Sequence, residues 1–345
     1  MRNWMVAAAV VCAVAPARAD REGRVTVMTR NMDAGTDLGP VIGATSIPAL
    51  LAATAATWVE VVGSGAPERA ARIADEIAAA KPDLIALQEV TLWRVGAFLK
   101  PPATEVLIDQ LDLLLGELGR RGLHYATIVV QTGTDAEAPV PFGFDLRITD
   151  RDAILARSAG APRLELSNAQ GHVYQAELLL GSPVLGQVAV PRSWASVDVK
   201  VLGRSFRFVN THLEGFAPPI QIAQAGELIT ALASAGMPVI LAGDFNANAD
   251  PGIDHFHTTD ALLAAGFVDS WAETREGEEG NTWPLHGEDP PTAASTPFER
   301  IDLVYGRGVE AEEAQRIGAS PSERTLSGFW PSDHAGVVTV FELDR

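Results

Sequence analysis

Residues 194–213, WASVDVKVLGRSFRFVNTHL, alternate apolar and polar side chains on both sides of Leu202-Gly203. A period of two around a glycine turn reads as an antiparallel hairpin with one buried face. A lone hairpin is barely stable in water, so the chain must pair and cover this one. It supplies the partners in mixed order. RVTVMTRN (24–31), PDLIALQEV (82–90), YATIVVQ (125–131), DAILARS (152–158) and HVYQAELLL (172–180) read as strands. PVILAGDF (238–245), RIDLVYG (300–306) and a closing strand after His334 continue the series. Helical spacing appears over Glu68–Lys81, over 104–120 with Leu107, Leu111, Leu114, Leu115 and Leu118 on one face, near 220–234 and near 259–265. This mixture predicts an α/β sandwich of mixed sheets. Two stretches without period, 132–149 and 272–298, are expected as long surface loops between strands that need partners. The apolar stretch TSIPALLAATAATWVEVV (45–62) reads as a packed helix or a membrane contact.

The N-terminus predicts an address. Arg2, the apolar run Met5–Val14 and the small-x-small Ala17-Arg18-Ala19 have the order of a signal peptide, cleaved after Ala19. The apolar run is too short to span a bilayer. The expectation is residues 1–19 as leader, residues 20–345 as one domain, and a secreted or periplasmic protein. The single cysteine, Cys12, lies in that leader behind Val11, where a lipoprotein site would need a small residue. The mature chain then has no disulfide, and its stability must come from its core. Losing Arg2 and Arg18 takes the net charge from −18 to −20. Such acidity repels nucleic acid and anionic lipid at long range. Phosphate chemistry here needs a metal cation to reverse the local sign.

Polar residues gather where apolar strands end: Asn31, Gln88-Glu89, Asn210 and His212, Asp244 and Asn246, and Asp333-His334. Each alone is explained by a turn, a cap or a solvated strand end. Asp302 is different, since a carboxylate inside the apolar RIDLVY needs a partner. Together these residues have the composition of a hard-cation phosphate site, with oxygen ligands, amides for oxyanions and two histidines. No Cys/His cluster suits a structural zinc.

TRNMD, LQEV, NTHL, GDFN, RIDLVY and SDHAGV occur here in an order and spacing that resemble the endonuclease/exonuclease/phosphatase superfamily, from about residue 24 to 343. The resemblance implies a deoxyribonuclease I-like four-layer αββα sandwich of two mixed sheets with one metal-dependent phosphoester-cleaving site. It implies Glu89 as the principal Mg²⁺ ligand, with Asn31 beside it and Asp333 next to the metal; Mn²⁺ shares such sites. Asp33 falls where some members carry a second metal-linked aspartate. Asp244 would orient or deprotonate water, Asn246 would hold a phosphate oxygen, and His212 would bind phosphate or assist the leaving group. Asp302 would pair with His334 and favour its imidazolium. At the middle strand, DRDAILAR, either Asp152 or Arg151 would face the site. The implied activity is a phosphodiesterase on nucleic acid or phospholipid head groups, working as a monomer, with a catalytically silent binding protein as the alternative. Arg94, Arg147, Arg151 and Arg300 are the local cations available for a nucleic-acid grip, and Trp330 is read as a stacking platform or a core anchor.

Overall fold

Val25 and Val27 face one way from the first strand and Met28 the other, and that split repeats through two sheets. The structure, a computed structural model, describes residues 23–159, 164–249, 257–285 and 296–343. The expected leader, Cys12 and residues 286–295 of the expected loop lie outside the described residues. The first half of the chain forms β1 (Arg24–Asn31), β2 (Leu84–Gln88), β3 (Leu92–Ala97), β4 (Glu105–Asp109), β5 (Tyr125–Val140) and β6 (Phe144–Arg157). There follow β7 (Glu165–Val173), the small hairpin of β8 (Leu178–Ser182) and β9 (Gly186–Val190), β10 (Ser193–Val201) and β11 (Arg204–His212). β12 (Val239–Asp244), β13 (Val268–Asp269), β14 (Asp302–Arg307), β15 (Glu310–Ile317) and β16 (Gly336–Glu342) complete the set.

One sheet runs β15-β16-β1-β2-β6-β3-β4 with β5 along the other edge of β6; the second runs β13-β14-β12-β11-β10-β7. Both are mixed: β1–β2 and β11–β12 are parallel and the other pairs antiparallel. Between the sheets lie Val27, Leu84, Ala86, Ile154, Val197, Phe206, Phe208, Ile240 and Phe341. Met28, Ile85 and Leu87 face outward onto Ile73, Ile77, Leu111 and Leu114 of the helices Ala66–Ala80 and Gln110–Arg120. On the opposite side Val209, Leu241 and Leu303 pack on Leu228, Leu232 and Leu262 of Pro218–Leu232 and Thr258–Ala264. The layers are therefore helix, sheet, sheet, helix. Each fully buried Phe or Leu contributes about 1.5–3 kcal/mol.

Several expectations are corrected. The stretch 132–149 is not a loop but the far part of the β5–β6 hairpin, which turns at 141–143. Its alternation is hidden by register shifts between Thr127 and Val129 and between Thr132 and Asp135, and by the cross-strand pair Arg147–Asp135. The helix expected from 104 begins only at Gln110, because the Asp109 carboxylate accepts from the Leu111 and Asp112 N–H groups and caps it. Residues 172–180 are two strands, not one; the chain breaks at 174–177, where Glu227 accepts from the N–H groups of Gln175 and Ala176. The edge strand β15, EAEEAQRI, is too charged to be read as a strand. Residues 47–63 form a helix that buries Leu50, Thr54, Thr57 and Val61. Among the described residues no single helix is long and apolar enough to cross a membrane.

Candidate active site

Three strands of the second sheet put polar residues in one row. The register sets His212 beside Asp244 and Asp244 opposite Asp302. All three are 1% exposed. Carboxylates at that depth need partners, and two imidazoles supply them. His212 places Nδ1 3.5 Å from Asp152 Oδ1 and Nε2 3.6 Å from Asp244 Oδ2. His334 sits in the bend before β16, with Nδ1 2.8 Å from Asp302 Oδ2 and Nε2 3.9 Å from Asp244 Oδ2. Asp244 thus lies between two histidines, each backed by a second carboxylate.

This arrangement fixes the charges. Burial opposes protonation of His334, but Asp302, Asp333 and Asp244 outweigh it and raise its pKa well above the usual histidine value. His212 is also raised: burial and Arg192 oppose its charge, and Asp152 and Asp244 prevail. Burial raises Asp302, with His334 pulling the other way.

The first sheet closes the site from the other side. Asn31 Nδ2 donates to Asp244 Oδ2 at 3.0 Å, and Asn31 Oδ1 accepts from the Asp33 N–H at 2.8 Å. Glu89 accepts from the Ala34 N–H at 2.8 Å and adopts φ +52°, a left-handed backbone that is costly for a residue with a Cβ. Ligand atoms of Glu89, His212 and Asp244 lie within 4.8 Å of one another, as do those of Asp244, Asp302 and His334. Buried Asp152 Oδ1 and Asp302 Oδ1 receive no hydrogen bond. Carboxylate oxygens short of donors, with only imidazole nitrogens added, suit a hard divalent cation such as Mg²⁺ or Mn²⁺.

The other expected residues fall around this centre. Asn246, at φ +50°, donates its N–H to Asp244 Oδ1 at 2.9 Å and its Nδ2 to Leu213 O at 2.9 Å. Asp333 lies at the rim with its side chain 36% exposed, 4.0 Å from His334. Asp33 is committed elsewhere, to Arg69 at 2.5 Å and the Gly35 N–H at 2.6 Å. Arg151 turns to Asp109 at 2.6 Å, and Asp152 is the one beside His212. Gln88 and Asn210 are struts between the sheets: Gln88 donates to Asn210 at 2.6 Å, and Asn210 donates to the carbonyls of Leu87 and Ala153.

The profile of the Endonuclease/Exonuclease/phosphatase family matches residues 62–334, most of the chain. The chain belongs to that family. No curated protein matches. Among solved structures, a family member from Bacteroides thetaiotaomicron is 18% identical, covers 93% of this chain and 98% of its own, and superposes with a TM-score of 0.57. A mannosyl-6-phosphatase from the same organism is 18% identical (92% and 99% covered, TM-score 0.54). TDP2 of D. rerio, complexed with a single-strand DNA product, is 17% identical (93% and 99% covered, TM-score 0.54). At these identities the likeness is one of fold.

This family member carries site residues that strand-end reading missed. Arg192 sets Nη1 2.9 Å from His212 Nε2 and lies 3.6 Å from the fully buried Glu214. Asp150, on β6, is pushed up to about 6 by burial and by Asp152. Trp283 stands 6.4 Å from the His334 ring and meets Phe298 edge-on. No strand-end signal marks these three; Arg192 stands two residues before the quoted hairpin, within PRS. The four arginines read as a nucleic-acid grip each face a carboxylate: Arg94 and Arg147 face Asp135, Arg151 faces Asp109, and Arg300 faces Asp269. Trp330 is a core anchor, 3% exposed among Leu285 and Ala335.

Proposed function

We propose that this chain is an exported, divalent-metal-dependent phosphodiesterase. The observation that carries the reading is Asp244 held between two carboxylate-backed histidines. A phosphoester in that cleft meets two imidazoles biased toward their charged forms, which suits the oxyanion charge that grows as water adds to phosphorus. Asp244 is oriented by Asn31 and by the Asn246 N–H, which leaves it the group to position the attacking water and take its proton. His334, charged through Asp302, stabilises the transition state, and His212 with Arg192 holds the phosphate and serves the leaving group. Glu89 would hold the cation, with Asn31 and Asp333 at its flanks. The cation, when bound, polarises the phosphoryl oxygen and lowers the pKa of water. The acidic chain matches this reading, because the metal supplies the positive charge that its surface lacks.

The test is product release from single- and double-stranded DNA, RNA, sphingomyelin, bis-p-nitrophenyl phosphate and p-nitrophenyl phosphate, in Mg²⁺ and then in EDTA. Metal-dependent turnover of a diester supports the proposal and names the substrate class. Turnover of the monoester alone makes the chain a phosphatase. Silence throughout, with Mg²⁺ binding intact, favours a binding protein. Export is tested separately, by N-terminal sequencing for a chain that begins at Asp20.

A further inference from the structure

The first sheet extends well beyond the catalytic centre. β2 and β3 lie in succession against one strand: Leu84–Leu87 opposite Ala156–Ala153, then Leu92–Ala97 opposite Thr149–Phe144. The chain passes the site at Glu89 between them. From Glu89 to Ala97 is eight residues, about 25 Å at roughly 3.3 Å per residue. The β5–β6 hairpin runs beside this extension to its turn at 141–143. The site residues of β1, β11 and β12 lie at the C-terminal ends of their strands, and Glu89 just follows β2. The extension therefore projects from the same end of the molecule as the catalytic mouth.

Its tip is apolar. Phe98, Leu99 and Phe142 are 41%, 64% and 60% exposed, against the roughly complete burial of phenylalanines in the core. Phe142 lies 6.4 Å from Phe144, which meets Trp58 edge-on at 4.7 Å. Val59 and Val62, on the helix that carries Trp58, also face outward. A groove of about 530 Å³ opens here between Trp58, Val95, Ala97 and Phe144, with Thr104 and Glu105 at its edge. The loop cannot simply fold these side chains away. Buried Asp145 accepts from the N–H groups of Leu99 and Lys100 at 3.0 and 3.1 Å, and Glu137 accepts from that of Ala103 at 2.9 Å. In residues 97–102 and 140–144 the only charged side chain is Lys100, in a chain with 44 acids and 26 Lys and Arg.

We propose that this tip docks on a lipid surface, with Phe98, Leu99 and Phe142 entering the acyl boundary and Lys100 meeting a headgroup phosphate. Charge complementarity selects that occupant, since the local sign is reversed where the apolar residues protrude. The chain's overall acidity opposes an anionic membrane, so the fit is to a zwitterionic one. Docking stands apart from the hydrolase reading and is measured without turnover.

The experiment is flotation of the full chain with phosphatidylcholine vesicles, comparing wild type with Phe98→Ser/Leu99→Ser/Phe142→Ser. Circular dichroism confirms that the variant is folded, and bis-p-nitrophenyl phosphate serves as a soluble substrate. Wild type should float with the vesicles, and the variant should partition about tenfold less or weaker still. Soluble turnover, where present, should be equal in the two. Wild type that stays with the free protein overturns the proposal, and so does a variant that floats equally well. A wild-type dimer that the variant converts to monomer also overturns it, by assigning the tip to a second copy of the chain.

Discussion

Asp302→Asn isolates charge from contact. The carboxylate sits 2.8 Å from His334 Nδ1 at a position 1% exposed, and asparagine has nearly its shape. The carboxamide oxygen can still accept from the ring N–H, so the variant removes the charge and keeps the geometry. A hydrogen bond to a charged group contributes about 1.5–3 kcal/mol. At about 1.36 kcal/mol per decade of rate, losing that contribution in the transition state slows turnover roughly 10- to 150-fold. Asp244 at 3.9 Å and Asp333 at 4.0 Å still face the imidazole, which keeps the loss short of complete.

The pH dependence gives the sharper signature. Burial works against the charged ring, and the three carboxylates outweigh it, so the imidazolium survives above the ordinary histidine range and is lost as pH rises through the raised pKa. Removing the nearest of those charges must bring the alkaline limb of activity to lower pH. The assay is kcat/KM for bis-p-nitrophenyl phosphate in saturating Mg²⁺ from about pH 6 to 10, with chemistry limiting. Calorimetric Mg²⁺ titration of the same variant runs in parallel. A loss under about threefold with an unmoved alkaline limb refutes the pairing argument. Mg²⁺ affinity falling as far as the rate would instead make Asp302 a metal ligand.

Glu89→Ala should abolish the difference between Mg²⁺ and EDTA along with nearly all turnover; full activity in that variant would remove Glu89 from the metal centre. Arg192→Met should slow turnover about 10²- to 10³-fold by taking a cation from the phosphate, and His212, freed of a charge that opposes its own, should hold its proton to higher pH by NMR titration. An unchanged rate would leave Arg192 a structural partner of Glu214. Asn210→Ala removes three buried hydrogen bonds between the sheets, about 3 kcal/mol at roughly 1 kcal/mol each. Urea denaturation with an unchanged slope should report that loss, and a change below about 1 kcal/mol would show that the sheets do not depend on this strut.

Strand periodicity identifies β1, β10 and β11 almost residue for residue, because each of them has one side against the apolar core between the sheets. It fails where burial is partial. β5 is half exposed along most of its length and twice bulged, and β15 is a charged edge, so neither shows a clean period of two. The site was legible in the same uneven way. His212, Asp244 and Asp302 stand out because a polar side chain at the end of an apolar run is unusual, and the sheet register then brings them into one row. Arg192 and Asp150 lie in polar surroundings, where one more charge carries no signal, and only the packing of the two sheets turns them toward His212.

Local rules fail at the centre for a reason. Glu89 and Asn246 both take left-handed backbones, which a propensity argument would assign to glycine. Each follows a strand whose direction is set by the core, and each must present a polar group back toward the gap between the sheets. The left-handed turn at Asn246 lets its N–H reach Asp244 two residues earlier, while the turn at Glu89 lets the carboxylate meet Ala34 on the neighbouring crossover. A glycine at either place would relieve the backbone and lose the side chain that the site uses. The strain is compensated by the layers beneath: Val90 and Leu87 flank Glu89 in the helix-covered core, and Phe245 and Ala247 flank Asn246 in the core of the second sheet. The hydrophobic order that makes the sandwich also holds its least favourable conformations in place, and those conformations aim the groups proposed to do the chemistry.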